Sequence, residues 1–417
     1  MSTPGVTVPG ARIALFLPSL AGGGVGRSFL SLARGFRDAG HRVDLLLCRR
    51  SGPLLGDVPD GVRVIELAAE NELRARARLL ALDPGGAARL LRPVLLARRG
   101  AVAVRHVAAL AAYLRETRPA ALLAGKTHCN LAALWAQRLA GGDTRVVVSE
   151  RTQLSHSIAG SRRWRWRHVA PLLERWFPAA HAVTAVSAGV RAELLELCAL
   201  GPAQVHTLPN PVVTPELRAL QAAPSGHAWL DEPGPPVILG VGRLAPQKNF
   251  PLLLEAFAAL ARQHAEPLRL LILGEGRERA ALEQQATRLG IAGQVALPGF
   301  SPNPHAYMAR ARLFVLSSDY EGLPGVLIQA LASGCPVVST DCPSGPREIL
   351  EAGRHGRLVP VGDAAALRAA MAAALAEPPD AAALRASAQR YSLASATQQH
   401  LELLLPAQAA APDSCAA

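Results

Sequence analysis

Lysine is almost absent. Two occur among the 44 basic residues of this 417-residue chain: Lys126 in Ala-Gly-Lys-Thr-His and Lys248 in Gly-Arg-Leu-Ala-Pro-Gln-Lys-Asn. Arginine is a planar fork and lysine a compact charge on a flexible stem, so the two are not interchangeable beside a crowded small anion. Long apolar runs are missing too, none reaching the roughly 18 residues that cross a bilayer. The six cysteines, Cys48, Cys129, Cys198, Cys335, Cys342 and Cys415, are scattered. No pair has the short spacing of a zinc or redox site, and a disulfide framework is unusual in a chain of this size. They read as reduced thiols in a cytoplasmic protein. Aromatic residues make up only 4% of the chain, and no aromatic-rich or zinc-based motif for nucleic acid occurs.

Half of the residues are apolar and 18% are charged, the balance of a globular protein. At this length one core does not suffice, and two domains of similar size are expected. At the N-terminus Arg12 precedes the apolar run Ile13–Leu17, but Pro18 and a glycine cluster follow at once. That is a first strand and a turn rather than a signal peptide.

Charge is uneven. Residues 1–215 hold 28 Lys+Arg against 14 Asp+Glu, whereas the remainder hold 16 against 18. With no nucleic-acid motif, the basic half suits an anionic membrane surface; inflation of arginine by a G+C-rich genome is the alternative. The run Arg162-Arg163-Trp164-Arg165-Trp166-Arg167 leads into a helix on which Trp166, Val169, Leu173 and Trp176 keep helical spacing. A basic helix with tryptophans can lie on a membrane, and ordinary packing inside the first domain is the competing reading. Arg74, Arg76, Arg78, Arg89, Arg92, Arg98 and Arg99 form a second basic region.

The pattern of elements is α/β throughout. Strand Ile13–Leu17, a glycine loop, a helix through Phe29, Leu32, Ala33 and Phe36, and strand Val43–Leu47 form a β-loop-α-β unit, which implies a parallel sheet. Further strands are expected at Ala121–Leu123, Arg145–Val148, Ala182–Val186 and Val205–Leu208. Proline and small residues then mark a linker. A second series follows, with strands at Val237–Val241, Leu268–Leu273, Val295–Leu297, Leu313–Leu316 and Pro336–Ser339. The domains expected are 1–210, a linker region 211–236, 237–390, a C-terminal helix 391–406 returning to the first domain, and a disordered tail 407–417. Both domains are doubly wound, and ligands in such sheets sit beyond the carboxyl ends of strands.

Four loops leave strand ends in ways that suit a phosphorylated ligand. Gly22-Gly23-Gly24 precedes a helix whose first amides can cradle an anion. Gly242-Arg243 ends a strand and Lys248 follows five residues on, so that two cations stand at one strand mouth. Ser317-Ser318-Asp319-Tyr320-Glu321-Gly322-Leu323-Pro324-Gly325 places a carboxylate just before a helix, where it can accept sugar hydroxyls or simply cap the helix. The fourth loop is Asp341–Glu348.

The stretches GVGRLAPQKNFPLLLEAFA from Gly240, LILGEGRERAALE from Leu271 and SSDYEGLPGVLIQALASGCPVVSTDCPSGPREIL from Ser317 resemble the retaining nucleotide-sugar glycosyltransferases of family 4. Their fold is the GT-B arrangement of two Rossmann-like domains facing across a cleft. The resemblance implies that Arg243 and Lys248 hold the donor diphosphate. It implies that Glu321, first acid of an E-x7-E motif, contacts the donor sugar, which backbone amides near Gly322, Leu323 and Pro324 help position. The loop containing Gly23 and Gly24 would approach the donor phosphate from the first domain. His128 resembles the histidine near the donor sugar, with Lys126 and Asn130 as neighbours, and Glu150-Arg151 resembles a segment lining the cleft. The second motif acid, which usually grips ribose hydroxyls, is Gln329 here. An amide still hydrogen-bonds both hydroxyls but without charge assistance.

The expected activity is therefore a retaining, metal-independent hexosyl transfer in the cytoplasm. The donor is a nucleoside-diphosphate sugar, and the acceptor is a glycan or a lipid-linked glycan of a surface polysaccharide, with peripheral contact to an anionic membrane. No cofactor, metal or nucleic acid is expected, since no Asp-x-Asp triplet occurs anywhere. The alternatives are a nucleotide-sugar 2-epimerase and a degenerate, non-catalytic binding subunit. An NAD enzyme is disfavoured because Gly274-Glu275-Gly276 lacks the third glycine of the dinucleotide fingerprint.

Overall fold

The computed structural model describes residues 10–95, 102–159 and 168–406. The chain divides into two compact units. The first holds the described residues up to Val186, Val190–Pro211 and Leu393 onward, and the second holds Ser187–Gly189 and Val212–Ser392.

The first unit is built on a seven-stranded sheet ordered β3-β2-β1-β4-β5-β6-β7. Its strands are β1 (Arg12–Leu17), β2 (Arg42–Leu47), β3 (Arg63–Glu66), β4 (Ala121–Gly125), β5 (Arg145–Glu150), β6 (Ala182–Ala185) and β7 (Val205–Thr207). Every pairing is parallel. Helices cover both faces, so the inner strands read as continuous apolar runs rather than alternating ones. Ile13, Leu15 and Leu17 pack with Phe29, Leu32 and Phe36 of helix α1 (Gly24–Asp38). The second unit has a six-stranded parallel sheet ordered β10-β9-β8-β11-β12-β13. It comprises β8 (Val237–Val241), β9 (Arg269–Leu273), β10 (Val295–Gly299), β11 (Leu313–Leu316), β12 (Val337–Thr340) and β13 (Arg357–Val359).

In each sheet the strand order reverses once, between β1 and β4 in the first and between β8 and β11 in the second. At such a switch point the loops on the two strand ends splay to opposite faces and leave room for a ligand beyond the carboxyl edge. Gly22–Gly24 follows β1 and Lys126 follows β4, while Arg243 and Lys248 follow β8 and Ser317–Glu321 follows β11.

Two expectations change. Residues 212–236, read as a linker, count with the second unit and carry the short helices Leu217–Ala222 and Ala228–Asp231. Gln221 Nε2 anchors the first of these by donating to the Ala332 carbonyl at 3.1 Å. The proline-rich composition marked the crossover but not its extent. The segment Arg162–Arg167 lies outside the described residues, as do Arg98, Arg99 and the tail 407–417. Of its helical continuation, Val169, Leu173 and Trp176 are buried, Trp176 standing edge-on to Trp135 with centroids 6.3 Å apart. That part packs as an ordinary helix of the first unit.

The helix Leu393–Leu404 belongs to the first unit and seats on α1. Burial pushes its His400 down to about 3, with the Arg151 charge adding to the effect, so the imidazole is neutral and bonds the Ala396 carbonyl at 2.7 Å. The seat depends on Gly35 of α1, where an added Cβ would lie 2.0 Å from Thr397 Oγ1. We therefore expect Gly35→Ala to destabilise the protein by about 1–3 kcal/mol through overpacking, despite alanine's better helix propensity. Adding Thr397→Ala should restore stability. Urea unfolding of the single and double variants checks this, and a single variant at least as stable as the wild type would contradict it.

Candidate functional site

In the second unit two loops are knitted together at the β8–β11 switch point. After β8 the chain runs through Gly242 and Arg243 into one 3-10 turn, Pro246–Lys248. Asn249 follows in the left-handed region (φ 44°). Its side chain bonds both loops, Oδ1 accepting from Leu252 N at 3.3 Å and Nδ2 donating to Asp319 Oδ1 at 2.7 Å. Gln247 Nε2 donates to the Tyr320 carbonyl at 2.9 Å, and Ser317 Oγ to the Lys248 carbonyl at 2.8 Å. Space at Gly242 is tight: a Cβ there would meet three Lys248 side-chain carbons at 3.1–3.2 Å.

At the centre Lys248 Nζ stands 2.5 Å from Glu321 Oε1, with only 13% and 9% of the two side chains exposed. Ser318 Oγ donates to the same oxygen at 2.7 Å. Glu321 therefore does not cap the helix Gly325–Ala332, which has no side-chain cap. The capping alternative is excluded by where the carboxylate points. Gly322, Leu323 and Pro324 are buried behind it, and Ser344 Oγ donates to the Gly322 carbonyl at 2.7 Å. Gln329 is half-buried on that helix. Arg243 is exposed at the same strand mouth. The two expected cations thus differ, Lys248 being held by a carboxylate while Arg243 is open to solvent.

In the first unit Gly23 caps α1 with φ 86° and ψ 173°, a region of backbone space essentially confined to glycine. On the other side of the switch point, Lys126 precedes the helix Thr127–Ala140 at φ 76°. A non-glycine residue held there is a local strain of the kind that collects at functional sites. His128 lies half-buried in the first turn of that helix.

Glu150, Arg151 and Asn130, expected to line the site, are instead buried, 1%, 7% and 0% exposed. They support it from beneath. Successive residues at the end of a strand face opposite ways, and these two charges do not meet. Glu150 takes hydrogen bonds from Thr127 Oγ1 at 3.1 Å and Asn130 Nδ2 at 2.8 Å, fixing the turn that carries His128. Arg151 Nη1 donates to Ser28 Oγ of α1 at 2.5 Å and to Asn210 Oδ1. Its guanidinium lies 4.8 Å over the Phe29 ring. Among the described residues no carboxylate pairs with it. Burial lowers its pKa to about 9, which still leaves it cationic at neutral pH. Sequence reasoning missed Ser28, Asn210 and Thr127 in this network; Asn210 between two prolines was the visible signal.

Burial raises Glu150 to about 7 in spite of its two hydrogen bonds. A folded pKa above the unfolded one means the native state keeps the proton longer. The group's contribution is then full below about 4.5 and is lost as pH rises through about 7. Relative to wild type, Glu150→Gln should gain about 2–3 kcal/mol of stability between about pH 5 and pH 8. Chemical unfolding across that range checks this; parallel curves for the two proteins would contradict it.

Two family profiles match the chain. "Glycosyltransferase Family 4" covers residues 22–215 and "Glycosyl transferases group 1" covers residues 228–391. A Campylobacter jejuni N-acetylgalactosamine-N,N'-diacetylbacillosaminyl-diphospho-undecaprenol 4-alpha-N-acetylgalactosaminyltransferase is 34% identical over 232 residues, 56% of this chain and 60% of the relative. The lipopolysaccharide core biosynthesis glycosyltransferase LpsE of Rhizobium meliloti is 37% identical over 139 residues, 33% of this chain and 39% of the relative. The match thus spans less than two thirds of either relative's length. Among solved structures, Anabaena HepE in complex with UDP and glucose superposes with a TM-score of 0.72 over 94% of this chain and 99% of that one, at 20% identity. With two parallel doubly wound units, a Family 4 profile on the first and a group 1 profile on the second, the chain belongs to the family 4 glycosyltransferases of GT-B fold.

Proposed function

We propose that this protein is a retaining glycosyltransferase that moves a hexosyl group from a nucleoside-diphosphate sugar to a glycan or lipid-linked acceptor. The product would be a surface polysaccharide or lipopolysaccharide. The observation that carries the reading is the buried Lys248–Glu321 pair beside an exposed Arg243 at the β8–β11 switch point. As the bond from the anomeric carbon to the diphosphate breaks, negative charge builds on the leaving phosphate. Preorganised cations at that place are the largest electrostatic help such a reaction can receive. Arg243 meets the diphosphate directly. Lys248 is held in position by Glu321, whose carboxylate also accepts a hydroxyl of the donor sugar. Gln329 holds the ribose through an amide. In the first unit, His128 on its anchored turn is the candidate for contact with the transferred sugar, and Gly23 and Gly24 leave the first α1 amides free for a phosphate. No protein nucleophile is assigned, and with arginine and lysine in the electrostatic role the transfer needs no divalent metal.

The relatives' names support the substrate classes. The Campylobacter relative is named for an undecaprenol-diphosphate acceptor and the Rhizobium one for lipopolysaccharide core synthesis, and HepE is bound to UDP. We place the enzyme in the cytoplasm, peripheral to the membrane. Among the described residues no helix is long and apolar enough to cross a membrane. Gln329, in place of the second motif acid, favours one other reading, a degenerate, non-catalytic binding subunit.

The test is thermal stabilisation by a panel of UDP-, GDP-, ADP- and dTDP-sugars, followed by product analysis with the donor that binds. One nucleotide should stabilise the wild type. Arg243→Ala should weaken that binding about 10- to 100-fold, as loss of a charge-assisted hydrogen bond does, and Lys248→Ala at least as much. The anomeric configuration of the product, read by NMR, should match the donor's. No stabilisation by any donor would overturn the reading in favour of the non-catalytic subunit, and release of a free epimerised nucleotide sugar would replace it with a 2-epimerase.

A further inference from the structure

Helix α2 (Glu72–Leu82) of the first unit has two apolar faces where a surface helix has one. Ala75 and Leu79 point inward and are each 1% exposed. Leu73, Ala77, Leu80 and Ala81, at i, i+4, i+7 and i+8, form a second stripe, and all four are exposed. Leu73 is 74% exposed, the most of any large apolar side chain among the described residues. After Asp83 the chain turns back through the short helix α3 (Ala87–Leu90), and Arg76 of α2 reaches the Leu95 carbonyl at 2.9 Å. The returning segment is thus tied to α2 at Leu95, and it carries Leu91, 44% exposed. Three of the five large exposed apolar side chains of the described chain fall in this one hairpin.

The charge left without an ion pair around the stripe is of one sign. Arg74 adjoins it on α2, and Arg89 and Arg92 lie on the returning segment. All three are exposed, and among the described residues none forms an ion pair. Arg76 and Arg78 are by contrast neutralised by Glu72 and Glu70. The hairpin is also held in shape. Asp83 at its turn accepts from Gly86 N at 2.9 Å and from Arg175 Nε at 2.5 Å, tying the tip to the body of the unit.

We propose that this α2–α3 hairpin face docks the protein on an anionic lipid bilayer, leucines entering the acyl boundary and Arg74, Arg89 and Arg92 bonding lipid phosphates. A protein partner is disfavoured by the composition, because the stripe is leucine and alanine without the aromatic and methionine anchors in which protein interfaces are enriched. Apolar side chains rimmed by arginine match the headgroup boundary of an acidic membrane. The docking deepens the lipid-linked-acceptor reading by bringing the enzyme to the surface where such an acceptor lies. It is measured without donor or acceptor, so it and the catalytic reading fail separately.

The experiment is co-sedimentation of the full chain with phosphatidylcholine vesicles, neutral or containing about 30% phosphatidylglycerol, at two salt concentrations. The wild type should partition at least about tenfold more strongly onto the anionic vesicles, less so at high salt. Leu73→Gln with Leu80→Gln should lower partitioning about tenfold. Arg74→Gln, Arg89→Gln and Arg92→Gln together should lower it about a hundredfold, at about fivefold per arginine. Melting temperature and nucleotide-sugar binding should stay unchanged in both variants. Wild-type partitioning that the variants retain would overturn the proposal, as would no partitioning at all. Concentration-dependent dimers that the leucine variants abolish, without lipid binding, would overturn it in favour of a second copy of the chain.

Discussion

The salt link between Lys248 and Glu321 is what the second unit's site depends on. It joins the loop leaving β8 to the loop leaving β11, the two strands between which the sheet order reverses. Removing either group alone would leave the other, largely shielded from water, without its partner, at a cost of several kcal/mol. The surroundings serve the pair: Gly242 leaves space for the lysine stem, Ser318 takes a share of the carboxylate, and Asn249 and Gln247 bond the loops to one another. Lysine is nearly absent elsewhere in the chain. A slender stem threaded past a glycine to a single oxygen is a place where a branched guanidinium does not substitute.

The first unit uses buried charge differently. Glu150 and Arg151 follow one another at the end of β5 yet serve opposite faces, one anchoring the turn of His128 and the other joining α1 to Asn210 at the exit from the unit. Each is satisfied by neutral partners, so neither charge is cancelled locally. The consequence for the carboxylate is a proton held to about neutral pH. The consequence for the arginine is a persistent positive charge behind the glycine cap of α1, adding to the helix dipole in a direction that favours an anion.

Most of the strands were legible because parallel strands buried on both faces leave unbroken apolar runs, as Ile13–Leu17 and Leu313–Leu316 do. β3 and β13 were not, being three or four residues long at sheet edges, with half-exposed or polar positions that carry no periodic signal. Glu321, Lys248 and Arg243 could be found from motif spacing. The pairing of Lys248 with Glu321 could not, since 73 residues separate them and only the folded sheet brings them together. The buried placement of Glu150 and Arg151 was hidden for a related reason: charged residues next to one another in sequence suggest a solvated surface unless their separate partners are known. The exposed leucines of α2 were equally invisible, because a stripe on each of two faces looks in sequence like one wide buried face.

The central claim is that Lys248 and Glu321 act on the donor as a coupled pair. Calorimetric titration of the nucleotide sugar into wild type, Lys248→Met, Glu321→Gln and the double variant measures that coupling. The account predicts a coupling free energy of at least about 1 kcal/mol, the double variant binding better than the sum of the single losses allows. Losses that add to within about 0.5 kcal/mol would contradict it.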